Sequence, residues 1–168
     1  IDNSSIEKIK KITVEAGEIL RNDYLNSSLK VKFKEDDSLL TDSDLKAHHY
    51  IQKELKKNFS WPVVSEEEIH FSPDSLPECY CLVDPLDGTK EFLSGSGEFT
   101  VNIALMVNKK PSLGFIYSPM SFELYWGGKS YGSFKESHKE SQKKVLHGKR
   151  VDSKRLTLLI SYTYNTKI

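Results

Sequence analysis

Apolar and charged positions follow a helical period over residues 4–25. Apolar or small side chains recur every three or four residues, and charged side chains occupy much of the remainder. The apolar set consists of Ile6, Ile9, Thr13, Ala16, Leu20 and Tyr24. Because this spacing places the set on one side of a helix, the pattern predicts an amphipathic first helix.

A second helix is predicted after a polar connector over residues 26–37. Thr41 is followed three residues later by Asp44, which is the sequence pattern of a capping pair at a helix N-terminus. The apolar side of this helix would carry Leu45, His48, Ile51, Leu55 and Phe59. The chain is therefore expected to open with two helices.

β-rich runs dominate beyond residue 59. Residues 61–64 predict a short strand, and residues 79–83 predict an apolar strand that runs into an acidic turn. Three further β-rich runs cover residues 100–107, 113–117 and 122–126, with hairpin-length separators between them. We therefore expect a meander of antiparallel strands.

The last part of the chain is the least patterned. Residues 135–155 hold many lysines and arginines without apolar periodicity, which predicts a solvated connection, and residues 156–162 predict a last strand. A meander behind two helices usually needs another layer on its second face, and no further element is predicted after Tyr162. The expected architecture is one α+β domain over residues 1–168, with N-terminal helices, a mainly antiparallel sheet and a second half missing.

Composition narrows the classes of function. The 168 residues are 38% hydrophobic, which supports a packed core, and 24 basic residues balance 24 acidic ones. Zero net charge argues against a general nucleic-acid binder but not against a small anionic substrate, because local charge in a cleft matters more. No apolar run approaches the about 20 residues that cross a bilayer, and no secretion signal opens the chain. We therefore expect no membrane partner and a cytoplasmic location.

The two cysteines, Cys79 and Cys81, lie in an apolar run. A disulfide between such near neighbours is geometrically poor, and a metal-binding pair would need a second pair of ligands that the sequence lacks. Reduced, buried cysteines are therefore expected.

Acidic residues gather at three points where the predicted secondary structure breaks. Carboxylates at strand ends and helix starts are well placed to converge on a hard cation, which prefers oxygen ligands. The clusters are Asp36, Asp37, Asp42 and Asp44, then Glu66, Glu67 and Glu68, then Asp84 and Asp87.

The third acidic cluster is the most informative. Pro85 fixes the backbone after Asp84, so the side chains of Asp84 and Asp87 are expected to lie over one small loop. Gly88 permits a backbone conformation that other residues rarely adopt. Thr89 then starts a short helix whose N–H groups form an anion site. A plain turn is the alternative, since Asp, Pro and Gly are turn formers. The preceding strand and the upstream glutamates favour a site for phosphoryl transfer to water.

Two segments resemble the inositol monophosphatase superfamily. The first reads LVDPLDGTKEF over residues 82–92, and the second reads GEFTVNIAL over residues 97–105. The Thr-Lys-Glu-Phe ending is similar to that of CysQ-type 3'(2'),5'-bisphosphate nucleotidases, whereas inositol monophosphatases proper usually continue with Thr-Asn-Phe. The resemblance runs from the first helix to about Tyr162 and implies the layered α/β sandwich of that superfamily.

The resemblance implies a set of magnesium ligands. Glu66 matches the glutamate ligand of the superfamily, and Asp84 and Asp87 match its two aspartate ligands. The backbone carbonyl of Leu86 matches a further ligand. Mg²⁺ is therefore the expected cofactor.

The resemblance also implies residues that handle water and phosphate. Thr89 matches the threonine that, with Glu66, positions and activates the attacking water, and Asp44 matches the aspartate that hydrogen-bonds that threonine. Asp36 matches an acidic position in the same upstream motif. The N–H groups of Gly88 and Thr89 would hold phosphate oxygens.

The implied reaction is two-metal hydrolysis, in which water attacks phosphorus directly and neither Cys79 nor a serine is the nucleophile. The expected substrate is a nucleotide bisphosphate, 3'-phosphoadenosine 5'-phosphate, which would lose its 3'-phosphate and leave AMP. The resemblance further implies sensitivity to lithium. The sequence does not decide whether the chain forms a homodimer.

Part of the superfamily's pattern is absent. Its Trp-Asp-x-Ala motif, whose aspartate completes the metal site, does not occur, because neither Trp61 nor Trp126 precedes an aspartate. Its Ser-Arg-Ser-His stretch reads SYTY over residues 161–164. The alternatives are a fragment, a truncated gene product or a protein that assembles with a partner. The rival functions are an inositol monophosphatase and a catalytically impaired remnant.

Several other residues are assigned structural roles. His48 and His49 are expected to be structural, because the superfamily's site uses oxygen ligands. Glu67 is a better candidate for the site than Glu68. Aromatic residues of the predicted meander are expected to form strand core rather than a base-stacking platform. They are Phe115, Tyr117, Phe122, Tyr125 and Trp126.

Overall fold

A computed structural model describes residues 1–26, 31–33, 39–68 and 76–148. The predicted strand over residues 156–162 and the SYTY segment over residues 161–164 lie outside the described residues, as do Asp36 and Asp37. The described residues include the two predicted helices and the predicted meander.

Two long helices confirm the N-terminal prediction. Helix α1 spans Asn3–Asn26 and helix α2 spans Asp42–Asn58. At the start of α2 the Asp44 N–H donates to the Thr41 hydroxyl, and the Thr41 N–H donates to the Asp44 carboxylate, so the predicted capping pair is a complete capping box. In the described part of the chain, neither of these helices nor the third, short one is long and apolar enough to span a bilayer.

The strands confirm the predicted meander and extend it. The strands are β1 Val31–Phe33, β2 Leu39–Thr41, β3 Val63–Ser65, β4 Cys79–Asp87, β5 Thr100–Val107, β6 Lys110–Ser118, β7 Glu123–Gly128, β8 Gly132–Ser137 and β9 Gln142–Val145. Strand β3 is parallel to β4, and each later neighbouring pair is antiparallel, which gives a seven-stranded sheet in the order β3 to β9. Strand β1 pairs antiparallel with β2. The short helix α3, Thr89–Ser94, lies between β4 and β5.

The hairpin between β5 and β6 is tighter than the sequence predicted. Asn108 and Lys109 have φ values of 51° and 58°, and a two-residue turn with positive φ matches the twist of the flanking strands. Strand β6 therefore starts at Lys110, and Pro111 lies inside it. Phe122, predicted as the first residue of a strand, instead lies in the next turn with a φ of 58°.

Helices α1 and α2 cover one face of the sheet. Buried residues alternate along β5 and β6, and Phe115 and Tyr117 from β6 pack with Leu20 of α1 and Ile51 of α2 in one core. Gly17 lets α1 approach closely, since a Cβ atom there would lie 2.3 Å from Tyr117 Cδ1. Helix α1 therefore packs directly against the ring of Tyr117.

The opposite face of the sheet is apolar and exposed. Leu82 of β4 is 42% exposed and Ile116 of β6 is 47% exposed. In the portion of the chain that the structure describes, α1 contacts β5 and β6, and α2 contacts β4, on the other face. From the sequence, we expected the second face of the sheet to need a covering layer. That face is the one that carries Leu82 and Ile116.

The prediction of a solvated connection over residues 135–155 is wrong for its first part. Strands β8 and β9 extend the sheet through Val145. The apolar pattern missed β9 because all four of its residues are exposed, so no side-chain alternation marks it. Strand β8 is tied to α1 through Glu136, whose Oε1 accepts hydrogen bonds from Lys10 Nζ at 2.9 Å and Trp126 Nε1 at 2.8 Å.

Candidate active site

Asp84 and Asp87 lie at the C-terminal end of β4, where the strand pairing is irregular. Asp84 pairs with Asn102 of β5 and Asp87 pairs with Thr100, so the register shifts between the two aspartates. Asp84 Oδ1 accepts a 3.2 Å hydrogen bond from the Leu86 N–H, which closes a small side-chain turn. Leu86 is 3% exposed, so its side chain anchors this acidic segment in the core.

Gly88 turns the chain from β4 into α3. Its φ is +91°, and a Cβ atom there would lie 2.8 Å from the Glu98 carbonyl oxygen. The predicted need for glycine is therefore confirmed. Helix α3 begins at Thr89, as predicted. Phe92, 1% exposed, anchors the helix edge-on against the ring of Phe99.

Glu66 is brought to Asp84 by the parallel pairing of β3 with β4. Ser65 pairs with Val83, and the Glu66 N–H donates a 3.0 Å hydrogen bond to the Val83 carbonyl. Burial, then the charge of Glu66, then the charge of Asp87 raise the pKa of Asp84 to about 8. Three carboxylates therefore crowd one edge of the sheet, and a bound cation would relieve their repulsion.

Asp44 presents a buried carboxyl group at the start of α2, where it is 1% exposed. Its Oδ2 atom accepts hydrogen bonds from the N–H and the hydroxyl of Thr41. Its Oδ1 atom is buried without a hydrogen-bond partner among the described residues. Burial raises the pKa of Asp44 to about 6, and the charge of Glu67 acts in the same direction. A buried acceptor of this kind suits a hydroxyl donor.

Thr89 makes its side-chain hydrogen bond to a different partner from the one implied by the resemblance. Its hydroxyl donates to the Leu86 carbonyl oxygen at 3.3 Å, so the implied hydrogen bond between Asp44 and Thr89 is not formed. The capping box commits Oδ2 of Asp44 to Thr41 and leaves only Oδ1 for such a contact. The structure does bring together two predicted site groups, the Thr89 hydroxyl and the Leu86 carbonyl.

The donor set has the chemistry that Mg²⁺ prefers. Glu66, Asp84 and Asp87 supply carboxylate oxygens, and Leu86 supplies a carbonyl oxygen. Across residues 1–26, 31–33, 39–68 and 76–148, no three His, Cys, Asp or Glu side chains converge as a ready-made metal-ligand group. The carboxylates of Glu66, Asp84 and Asp87 are therefore neighbours whose oxygen atoms do not converge on one point.

Asn102 is a site residue for which no role was predicted from the sequence. Its Nδ2 donates a 3.1 Å hydrogen bond to Asp87 Oδ2, and its Oδ1 accepts a 3.1 Å hydrogen bond from the Thr100 hydroxyl. Asn102 and Asp87 are 15 residues apart and meet through the register of β4 with β5. No local sequence pattern could therefore reveal the contact.

His48 has a structural partner next to the site. It is 5% exposed, its Nδ1 atom lies 2.9 Å from Ser65 Oγ, and burial lowers its pKa. Ser65 Oγ also accepts a 3.4 Å hydrogen bond from the Glu67 N–H. Because Ser65 directly precedes Glu66, this pair supports the backbone from which Glu66 extends.

The two cysteines lie upstream on β4 and are free thiols. Cys81 is 1% exposed, and burial raises the pKa of its thiol to about 12. A thiol that stays protonated at neutral pH is a poor nucleophile. The expected burial is confirmed for Cys81, whereas Cys79 is half-buried.

A surface cavity of about 570 Å³ adjoins the carboxylates. One side of it is acidic and polar, and the rest belongs to the apolar face of the sheet. Its lining includes Glu66, Asp84, Asn102, Leu82, Ala104 and Ile116. The cavity therefore offers acidic groups next to apolar side chains.

Sequence comparison gives relatives over most of the chain. The 3'(2'),5'-bisphosphate nucleotidase CysQ of Buchnera aphidicola is 38% identical over 143 residues, which cover 83% of this chain and 54% of that protein. CysQ of Aggregatibacter actinomycetemcomitans is 30% identical over 151 residues, which cover 88% and 56%. The chain thus spans about half the length of the curated relatives it matches.

Structural comparison and a family model agree with these relatives. The crystal structure of CysQ from Bacteroides thetaiotaomicron, a bacterial member of the inositol monophosphatase family, is 39% identical with a TM-score of 0.65, and covers 80% of this chain and 49% of that one. This match confirms the predicted α+β fold. The model of the inositol monophosphatase family matches residues 2–167. The chain therefore belongs to the inositol monophosphatase family.

Proposed function

We propose that this chain provides the metal- and phosphate-binding part of a Mg²⁺-dependent phosphomonoesterase. The proposed substrate is 3'-phosphoadenosine 5'-phosphate, which loses its 3'-phosphate to give AMP, because the curated relatives are named 3'(2'),5'-bisphosphate nucleotidases. The observation that carries the proposal is the crowding of Glu66, Asp84 and Asp87 at the ends of neighbouring strands. The small phosphorylated nucleotide as partner and the cytoplasm as location belong to the same proposal.

Four groups would hold Mg²⁺: the carboxylates of Glu66, Asp84 and Asp87 and the carbonyl oxygen of Leu86. When bound, Mg²⁺ lowers the pKa of a water molecule and offsets charge that develops on the phosphate and leaving oxygen. Asp84 is suited to this role, because burial and its two acidic neighbours disfavour its charged form unless a cation is near.

The remaining groups would handle water and phosphate. Glu66 accepts a proton from the attacking water, and the Thr89 hydroxyl, which sits 3.3 Å from the Leu86 carbonyl oxygen, orients that water. The Oδ1 atom of Asp44, which has no hydrogen-bond partner within the part of the chain that the structure describes, is an acceptor for a hydroxyl at the site. Gly88 leaves the backbone bare, so the N–H groups of Gly88 and Thr89 can approach phosphate oxygens. Hydrolysis by direct attack of water needs no covalent intermediate.

The test is phosphate release by the 168-residue chain. With Mg²⁺ present, 3'-phosphoadenosine 5'-phosphate should be hydrolysed and inositol 1-phosphate hydrolysed more slowly, lithium should inhibit, and Asp84→Asn should abolish the reaction. Glu140→Gln, a matched loss of one exposed carboxylate on the turn after β8, should leave the rate unchanged.

Each other outcome identifies a rival. Faster release from inositol 1-phosphate would support an inositol monophosphatase. Absence of turnover with both substrates, by a folded chain that binds Mg²⁺, would support a catalytically impaired remnant. Equal rates for the native chain and Asp84→Asn would overturn the proposed site.

A further inference from the structure

The acidic edge of the sheet includes a hydrogen-bonded chain of neutral side chains. The Thr100 hydroxyl donates to Asn102 Oδ1 at 3.1 Å, and Asn102 Nδ2 donates to Asp87 Oδ2 at 3.1 Å. Thr100 is the residue paired with Asp87, and Asn102 is the residue paired with Asp84. The chain therefore runs along the start of β5, beside both aspartates.

The direction of this chain follows from the chemistry of its ends. An ionised aspartate accepts hydrogen bonds and cannot donate them, so the Asn102 amide must turn its NH₂ group toward Asp87. The amide oxygen then faces Thr100, whose hydroxyl can donate to it. Thr100 thus orients the Asn102 amide, and the amide in turn orients the Asp87 carboxylate; we call this pair of hydrogen bonds the relay. The opposite amide orientation would place the Asn102 amide oxygen against an Asp87 carboxylate oxygen, and both are acceptors.

We propose that Asn102 is a positioning residue for Asp87, and that Thr100 acts by orienting the Asn102 amide. Asn102 holds one oxygen of the Asp87 carboxylate and leaves the other, Oδ1, for a cation. This inference rests on the proposed function, because it assigns Asn102 to the support of a metal ligand.

Exposure explains why Asp87 needs this support. Leu86 is buried and fixed by packing, and Asp84 is half-buried and accepts the Leu86 N–H, but the side chain of Asp87 is exposed. An exposed carboxylate without a partner samples several rotamers, and ordering it on binding has an entropic cost. A neutral amide supplies the hydrogen bond without adding a fourth negative charge to the cluster or a positive charge that would repel a cation.

The test is the affinity for Mg²⁺, measured by isothermal titration calorimetry. Asn102→Leu keeps the approximate size of the side chain and removes both hydrogen bonds, and Thr100→Val keeps the shape and removes the donor. Loss of a partner that orients a metal ligand typically lowers affinity by about 10- to 100-fold, and at this half-exposed position we expect about 10-fold for Asn102→Leu. Thr100→Val should have a smaller effect in the same direction.

The decisive arm is the double variant. If Thr100 acts through Asn102, Thr100→Val should have no further effect in the Asn102→Leu background, because the amide it orients is gone. Ser133→Ala, which alters an exposed hydroxyl on β8, is the control. Unfolding of the metal-free variants in urea checks that each chain is folded. If Asn102→Leu does not fold, the single variant Thr100→Val still tests the relay through its effect on affinity.

The outcomes separate this inference from the proposed function. If the native chain binds Mg²⁺ and its affinity falls in Asp84→Asn but is unchanged in Asn102→Leu and Thr100→Val, the positioning role alone is overturned. A Thr100→Val effect of equal size in both backgrounds would overturn the relay. Absence of Mg²⁺ binding by the folded native chain would overturn the proposed function and this inference together.

Discussion

The backbone N–H of Glu66 donates a 3.0 Å hydrogen bond to the carbonyl of Val83, the residue immediately before Asp84. The bond continues the parallel pairing of β3 with β4 by one residue, so both strands deliver an acidic side chain to the same edge of the sheet. Glu66 and Asp84 therefore lie close together because of the register of β3 with β4. The repulsion between these carboxylates can therefore be tested through the stability of the metal-free chain, without a measurement of catalysis.

The stability of the metal-free chain should fall as the pH rises toward 8. Burial, Glu66 and Asp87 raise the pKa of Asp84 to about 8, whereas an unfolded aspartate titrates near about 3.9. Between these values the folded chain binds the extra proton, so this contribution to stability is fully present below the lower value and is lost as the pH rises through the higher one. Asp44, with its pKa raised by burial to about 6, acts with the same sign at lower pH.

Urea unfolding between about pH 6.5 and 8 measures this slope. His48 acts in the opposite direction near pH 6.5, because burial lowers its folded pKa below that of the unfolded chain, and its effect fades as the pH rises further. Asp84→Asn should flatten the slope, and Glu140→Gln should preserve it. A native chain whose free energy of unfolding increases over this interval would contradict the crowding of the three carboxylates.

Two glycines with positive φ should respond differently to alanine. A side chain in this backbone region costs about 1–3 kcal/mol. Gly88→Ala adds a clash, since its Cβ would lie 2.8 Å from the Glu98 carbonyl oxygen, whereas Gly95, with a φ of +80°, has nothing within 4 Å of that position. Gly88→Ala should therefore lower the free energy of unfolding by clearly more than Gly95→Ala, as measured in urea. Equal losses would show that the turn into α3 is not as tight as described.

The ion pair between Lys10 and Glu136 should stabilise the fold. The side chains are 9% and 13% exposed, and Lys10 Nζ lies 2.7 Å from Glu136 Oε2. Removing one partner of a buried pair typically costs about 3–5 kcal/mol, and because Trp126 and Lys143 still contact Glu136 we expect about 2–3 kcal/mol for Lys10→Met.

The neighbouring lysine is the matched control. Lys11, 74% exposed and 3.9 Å from Glu15, should give a change of about 0.5 kcal/mol or less in Lys11→Met. Chemical unfolding of both variants makes the comparison. Similar losses for the two would mean that the contact between Lys10 and Glu136 does not hold β8 to α1.

Local sequence patterns predicted the elements that carry their own signals. The helical period over residues 4–25 gave α1, Thr41 with Asp44 gave the start of α2, and Gly88 gave the turn before α3. Each of these signals lies within a few residues of the feature it predicts. The whole motif from Asp84 to Thr89 was visible for the same reason.

The features that the sequence did not predict depend on long-range contacts. Strand β9 has four exposed residues, so its place in the sheet comes from backbone pairing with β8 and not from a buried face. The contact between Asn102 and Asp87 and the raised pKa of Asp84 both depend on the register between strands. The side-chain partner of Thr89 also differs from expectation, because the resemblance implied Asp44 and the structure has the Leu86 carbonyl.

A cation site at the end of β4 should be visible as Mg²⁺ binding to the native 168-residue chain. Calorimetric titration of the native chain, Asp84→Asn and Glu140→Gln at one pH well above 8 reduces competition from the Asp84 proton. We expect saturable binding by the native chain, an affinity lower by about 10-fold or more in Asp84→Asn, and no change in Glu140→Gln. Equal affinities of the native chain and Asp84→Asn, or no binding by the folded native chain, would contradict a cation site at the end of β4.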